Sequence, residues 1–304
     1  MPYDCIVLAK QVPDTHNITG QAMKEDGTVN RAALPAIFNP EDLNALEMAL
    51  AVREAHGGTV TVITMGPPAA AELLRDSLYR GADRVILLTD RKFAAADTLA
   101  TSYALSCAIR KAGRFDLVFC GRQAIDGDTA QVGPQTAEKL GLPQVTYVVE
   151  IRKISKGAVE AVRDIGQGFE VVKCQMPCLM TVTGSANTPR PQSAKRIMQF
   201  KRATCASEVA GRVRAANNGA PKEEVDRKIQ EALAAFRAQP ATIIEWDAAA
   251  AGAEDSKIGA AGSPTKVKKI ESVVLAGKDL KRIEPNEGAV RQLVRELIED
   301  HILG

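Results

Sequence analysis

The sequence predicts an α/β protein: a doubly wound, mostly parallel sheet with an antiparallel meander and a C-terminal helical arm. Three features carry this reading. Up to about residue 143, short apolar runs alternate with helical stretches, the pattern of a parallel sheet with right-handed crossovers. From about Gln144 the pattern becomes period-two segments separated by glycines. Near the C-terminus, apolar residues recur at the spacing of a single helical stripe.

The elements follow in order. Cys5 to Ala9 is an apolar run suited to a strand buried on both faces. Asn39-Pro40-Glu41 opens a helix, with Asn39 as cap, Pro40 at the first position and acids in the first turn. Leu43, Leu46 and Leu50 share one face, and Gly57-Gly58 ends the helix. Val60 to Thr64 is the next strand, turned by Met65-Gly66-Pro67-Pro68 into a helix with Leu73, Leu74 and Leu78. Arg84 to Leu88 is a strand, Asp97 caps the following helix with Leu99, Tyr103 and Ala104 inward, and Asp116 to Cys120 is a strand ending in Gly121. Tyr147 to Ile154, Ala158 to Asp164 and Phe169 to Lys173 form the meander, and Cys178 to Thr183 returns as a strand. Pro221 starts a charged helix to about Phe236. Residues 248–262 are rich in Ala and Gly and read as a flexible connector. Val290, Leu293, Val294, Leu297 and Ile298 form the last apolar stripe, which must dock on its own domain or on a partner. The expected division is 1–205 for the α/β domain with its meander, 206–247 for a helical extension, 248–262 for the connector and 263–304 for the arm.

Composition removes several classes of function. The 39 basic and 37 acidic residues nearly balance, and aromatic residues are 4%, so nothing asks for nucleic acid. Met1-Pro2-Tyr3-Asp4 lacks a signal-peptide pattern, and no apolar run spans a bilayer, so a cytoplasmic protein without membrane insertion is expected. Six scattered cysteines read as small core hydrophobes. Cys174 and Cys178 lack the spacing of a zinc knuckle, so no metal site is assigned. His16, His56 and His301 read as satisfied or solvated residues, and no catalytic residue is assigned.

Ligands of doubly wound sheets bind beyond the carboxyl ends of the strands, where the strand order reverses. The loops after Ala9, Thr64 and Cys120 should therefore converge on one site. The richest of them is Gly121-Arg122-Gln123-Ala124-Ile125-Asp126-Gly127-Asp128-Thr129-Ala130-Gln131-Val132-Gly133-Pro134. Small residues let backbone approach a ligand, and free N–H groups at a helix start favour a phosphate. Asp126 and Asp128 would repel phosphate, so they are expected to turn away and cap backbone N–H groups. Close approach or a positive φ is expected at Gly127. Pro134 suits a first helical turn, which places the helix start near Gly133. On these residues alone, a tight turn without ligand is an equal alternative. Neither a Walker pattern nor Gly-x-Gly-x-x-Gly is present.

This loop resembles the beta subunit of electron-transfer flavoproteins. So do Ala9 to Thr15, Asn39 to Asp42, Arg80 to Asp83, Pro177 to Thr183 and Thr188 to Arg190. The resemblance implies an adenine-nucleotide-binding, Rossmann-like domain paired with an alpha subunit that carries a redox-active FAD. One branch of the family holds AMP in the beta subunit as a structural ligand. In the electron-bifurcating branch the same pocket holds a second FAD, which takes a hydride from NADH and divides its electrons. Asp126 to Gly133 is similar to the bifurcating branch, as are Asn39 to Asp42 and Gly262-Ser263-Pro264-Thr265. The AMP branch carries bulkier, more polar residues where Gly127, Thr129 and Ala130 stand.

By this resemblance the nucleotide contacts fall on Ala9, Asn39, Pro40, Glu41, Asp42, Met65, Gly121, Arg122, Gln123, Ala124, Ile125, Asp126, Gly127, Asp128, Thr129, Ala130, Gln131 and Val132. The implied partners are the alpha subunit, a flavin dehydrogenase of acyl-CoA dehydrogenase type, and ferredoxin or flavodoxin. About Pro177 to Arg196 corresponds to the dehydrogenase-docking loop, for which a solvated basic face is the alternative. The main alternative function is a non-bifurcating subunit with AMP. An ATP-using enzyme of the same superfamily is disfavoured, because Lys10-Gln11-Val12-Pro13 stands where a Gly-rich loop would follow the first strand.

Overall fold

The computed structural model describes residues 2–14, 34–155, 157–238, 242–265 and 282–299. Its core is a nine-stranded sheet. The strands are β1 (Cys5–Leu8), β4 (Val60–Met65), β5 (Arg84–Leu88), β6 (Leu117–Gly121), β7 (Gln144–Ser155), β8 (Ala158–Asp164), β9 (Phe169–Gln175), β10 (Cys178–Val182) and β11 (Ile244–Trp246). Their order is β11-β5-β4-β1-β6-β10-β7-β8-β9. Every pair from β11 to β7 is parallel, and β7-β8 and β8-β9 are antiparallel. The meander is thus the outer part of one continuous sheet. Two short strands, β2 (Gln11–Pro13) and β3 (Ala36–Phe38), pair antiparallel beside it.

The chain runs outward from β1 through β4 to β5, then returns to place β6 on the other side of β1. The β1–β6 boundary is therefore the switch point. Helices α1 (Pro40–His56) and α2 (Ala71–Arg80) cover one face, with Leu46, Leu50, Leu74 and Leu78 buried. Helices α3 (Thr98–Ala112) and α4 (Val132–Leu140) cover the other, with Leu105, Ile109 and Ala137 buried. Each fully buried Leu or Ile contributes roughly 1.5–3 kcal/mol before entropy. Asp97 caps α3 by accepting the Ala100 N–H at 3.0 Å, as expected, whereas Leu99 faces outward. All six cysteines are free and buried, and no group of potential metal ligands occurs among the described residues. His56 packs edge-on against Tyr3, while His16 and His301 lie outside the described residues. No described helix is long and apolar enough to cross a membrane.

Two expectations about the C-terminal third are corrected. The stretch 206–247 contains α6 (Ala206–Ala216) and α7 (Lys222–Arg237), but it ends by returning to the sheet as β11 beside β5. Residues 248–262 are packed, not a flexible connector. Ala248, Ala251 and Ile258 are buried with Phe93, Leu105 and Trp246 in the α3 face of the core. Ala260 donates to the Ala94 carbonyl at 3.1 Å. The small residues that suggested flexibility instead permit close approach: a side chain at Gly259 would run into the Lys92 carbonyl. Asp97 then accepts from the Thr265 N–H and hydroxyl, tying 265 to the start of α3. Helix α8 (Glu287–Glu299) carries the last apolar stripe, and none of its residues is buried.

Candidate functional site

The site is built where the ends of β1 and β6 meet the start of α1. Asp42, in the first turn of α1, joins the two strand ends. Its Oδ2 accepts the Lys10 N–H at 2.8 Å and its Oδ1 accepts the Gly121 N–H at 2.8 Å. Gly121 is required there. A Cβ would lie 2.6 Å from Asp42 Oδ1 and 2.8 Å from the Glu41 carbonyl carbon.

Asn39 is fully buried but does not cap α1 with its side chain, contrary to expectation. Its carboxamide reaches across to the loop after β6. Nδ2 donates to the Gln123 carbonyl at 2.9 Å, and Oδ1 accepts the Ile125 N–H at 3.1 Å. Glu41 adds two more ties, accepting the Gln123 N–H at 2.9 Å and pairing with Arg122 at 2.9 Å. The tetrapeptide Asn39 to Asp42 is therefore a bracket for residues 121–125. Pro40 is the first residue of α1 and lies exposed on its outer side.

Beyond the bracket the loop turns tightly, with Gly127 and Asp128 both donating to the Ala124 carbonyl. The two carboxylates turn aside, but they engage side chains and not backbone N–H groups. Asp126 pairs with Lys10 at 2.7 Å, and Asp128 accepts from Gln123 Nε2 at 2.9 Å. The strained backbone lies one residue on each side of Thr129, at Asp128 (φ 49°) and Ala130 (φ 52°). Gly127 is not in the left-handed region, and a Cβ there would meet no atom of the chain within 4 Å, which corrects the expectation at that residue. A non-glycine residue in the left-handed region costs roughly 1–3 kcal/mol and marks a loop held in a set shape. Helix α4 starts at Val132, one residue before the expected position, and has no side-chain cap. Gln131, the preceding residue, accepts from the Thr98 hydroxyl at 2.8 Å. Gly133 lets α4 close on the sheet, since a Cβ would lie 2.8 Å from both Cys120 Sγ and Thr181 Cγ2.

Ala9 is buried at the end of β1 and donates to the Ile63 carbonyl at 3.0 Å. Met65 ends β4 beside it. Next to Met65 the Thr64 hydroxyl is buried without a hydrogen-bond partner among the described residues. Hydrogen bonds and ion pairs thus join the residues after β1, residues 39–42 and residues 121–126 at the switch point, while Met65 ends the neighbouring strand β4 and Gln131 is tied to the start of α3.

Matched against family models, residues 26–207 fit the electron transfer flavoprotein domain. The chain is 38% identical over 298 residues to the electron transfer flavoprotein subunit beta of Clostridium acetobutylicum, covering 98% of this chain and 99% of that one. It is 41% identical over 300 residues to protein FixA of Sinorhizobium fredii, covering 96% and 91%. It is also 49% identical over 194 residues to the caffeyl-CoA reductase-Etf complex subunit CarD of Acetobacterium woodii, covering 64% and 73%. The chain belongs to the electron-transfer flavoprotein beta-subunit family. It is an electron-transfer subunit.

Two further features of this beta subunit differ from the sequence reading. Within Pro177 to Arg196, Cys178 to Val182 is the returning strand β10, as expected, but two of the basic residues that follow are not freely solvated: Arg190 pairs with Glu47 at 2.8 Å and with Glu54, and Arg196 donates to the carbonyls of Leu78 and Ala82. Lys195, Met198, Lys201 and Arg202, on and after α5 (Ala194–Phe200), remain exposed. The second feature is a cavity of about 740 Å³ beside the bracket, lined by Glu41, Arg122, Tyr147, Arg163, Thr183 and Ser185. The last four were missed, because their convergence depends on β7 pairing in parallel with β10, which period-two patterning does not reveal.

Burial pushes the Asp42 carboxyl up to about 7, against the opposing effect of its two backbone N–H donors. A carboxyl raised on folding stabilises the protein most below its unfolded value near 4, and that contribution is lost as pH rises through about 7. The stability difference between wild type and Asp42→Asn should therefore shrink from pH 5 to pH 8 in denaturant titrations. A difference that grows with pH would mean that the N–H donors outweigh burial.

Proposed function

We propose that this chain is the FAD-carrying beta subunit of an electron-bifurcating electron-transfer flavoprotein, oxidising NADH beside an alpha subunit that holds a second FAD. The observation that carries the reading is the loop Asp126 to Val132. It lies at the switch point, its carboxylates are drawn aside, and it leads into an uncapped helix start. Unsatisfied N–H groups at such a start suit a phosphate. Small side chains at Gly127, Thr129 and Ala130 leave room beyond the first phosphate, as a dinucleotide needs. The Thr64 hydroxyl and Arg122 Nε are buried without a hydrogen-bond partner among the described residues, which leaves two polar groups near the site unsatisfied.

Ala9, Met65 and the backbone of 121–132 would hold the nucleotide, while Asn39, Glu41 and Asp42 would fix the loop from behind. Bound there, a flavin supplies hydride acceptance and one-electron transfer. Ferredoxin or flavodoxin and a flavin dehydrogenase are the acceptors in this reading. CarD, named as a subunit of a reductase-Etf complex, supports such an assembly. The apolar stripe of α8 fits a contact with the alpha subunit, because Val290, Val294 and Ile298 are exposed. The alternative is a subunit with structural AMP, whose residues would bind and not react.

The heterodimer, purified anaerobically with its alpha subunit and supplied with NADH, ferredoxin and the cognate dehydrogenase with its substrate, tests the reading. Ferredoxin should become reduced only while the dehydrogenase substrate is also reduced. Flavins that NADH leaves oxidised would overturn it.

A further inference from the structure

The segment that leads toward α8 is fastened to the start of α3 by more bonds than a helix cap requires. Asp97 caps α3 with Oδ1, which accepts the Ala100 N–H. Its other oxygen, Oδ2, accepts the Thr265 hydroxyl at 2.6 Å and the Thr265 N–H at 3.2 Å. The Asp97 N–H donates to the buried Ser263 hydroxyl at 2.8 Å, and that hydroxyl donates to the Gly259 carbonyl at 2.7 Å. Ala95, just before this junction, is held at φ 59°. The other non-glycine residues in the left-handed region among those described are Asp128, Ala130 and Tyr147, all at the candidate site or its cavity wall. Such a backbone marks a turn held in a set shape by its surroundings.

The same junction touches the nucleotide loop. Thr98, the first residue of α3, donates to Gln131 Oε1 at 2.8 Å, and Gln135 Nε2 donates to the Thr98 hydroxyl at 3.4 Å. Gln131 follows the left-handed Ala130 and directly precedes α4. Two adjacent residues, Asp97 and Thr98, therefore hold Thr265 on one side and Gln131 on the other. Both sets of bonds lie at the surface, where water competes for the donors. Either can open without unfolding the core beneath it.

We propose that Asp97 and Thr98 act as a relay that couples occupancy of the nucleotide loop to the anchoring of the C-terminal segment at Thr265. A ligand that fixes the loop fixes Gln131, Gln131 fixes Thr98, and Asp97 beside it then retains Thr265. The proposal rests on the reading of the strand-end loop as a nucleotide site. Coupling of this kind is reciprocal, so a partner that holds the segment beyond Thr265 tightens nucleotide binding by the same factor. In that reading the partner is the alpha subunit, engaged through α8.

Hydrogen exchange of the heterodimer tests the relay. The complex is stripped of nucleotide, then reloaded with FAD alone or with FAD and AMP, and its nucleotide content is measured. In the wild type, filling the beta site should slow exchange at Thr265 by roughly 5–150-fold, the usual span of coupling between sites. Thr98→Val keeps the shape of the side chain and removes the donor to Gln131. It should still bind nucleotide, but the slowing at Thr265 should vanish. Asp97→Asn keeps one oxygen for the α3 cap and replaces the other by an amide that cannot accept. Thr265 should then exchange rapidly whether or not nucleotide is bound, while Ala100 stays protected. Equal exchange at Thr265 in the stripped and loaded wild type overturns the relay and leaves the nucleotide site standing. A Thr98→Val heterodimer that keeps the full nucleotide effect does the same. A beta site that takes up neither FAD nor AMP defeats the nucleotide reading, and the relay with it.

Discussion

Gly121→Ala is expected to destabilise the subunit by roughly 1–3 kcal/mol or more and to abolish nucleotide retention. The added Cβ would sit 2.6 Å from Asp42 Oδ1 and 2.8 Å from both the carbonyl carbon and Cβ of Glu41. These atoms cannot move aside cheaply. Asp42 accepts the N–H of Gly121 itself, and Glu41 is backbone in the first turn of α1. Relief requires α1 and β6 to separate, which releases the bracket on residues 121–125. Gly127→Ala is the control, six residues along the same loop. Its Cβ meets no atom of the chain within 4 Å, so stability should stay within about 0.5 kcal/mol of wild type. Denaturant titration of both variants, with nucleotide content measured on the same samples, checks this. Equal stability in the two would mean that the Asn39–Asp42 bracket does not set the loop.

Most of the sheet is legible because its strands are either continuous apolar runs or alternating segments with clear boundaries. Arg84–Leu88 and Ala158–Asp164 have the bounds that the sequence suggests. The strands that escape are short. β2, β3 and β11 have three residues each, too few for a periodic signal, and Pro13 lies inside the first of them. The stretch 248–262 misleads for a different reason. Alanine and glycine are equally compatible with a loose connector and with tight packing, and only a long-range partner decides between them. Here that partner is the Phe93–Ala94 segment, about 160 residues earlier in the chain, and β11 brings the two together.

The place of the candidate site is legible for the same reason as the sheet: alternating elements imply a switch point, and the glycine-rich loop follows the strand beside it. Its internal construction is not. Asn39 has the residue type and position of a helix cap, yet its carboxamide bonds residues 84 and 86 positions away. Gly127 looks like the conformationally demanding glycine, whereas the crowding is at Gly121 and the left-handed φ values are at Asp128 and Ala130. Local sequence identifies a loop that needs a special shape. It does not identify which atoms elsewhere impose that shape.

The identity of the nucleotide is the central claim, and the largest effect expected of this chain is a change in cofactor content. In the proposed reading, the small residues Gly127, Thr129 and Ala130 leave room for a dinucleotide where a mononucleotide would need less. The alpha subunit contributes a flavin under either reading, so the beta site decides the total. Denaturing the co-purified heterodimer and separating the released nucleotides by chromatography measures it directly. The account predicts about two FAD per heterodimer and almost no AMP, as two dinucleotide sites require. Equal amounts of FAD and AMP would contradict it.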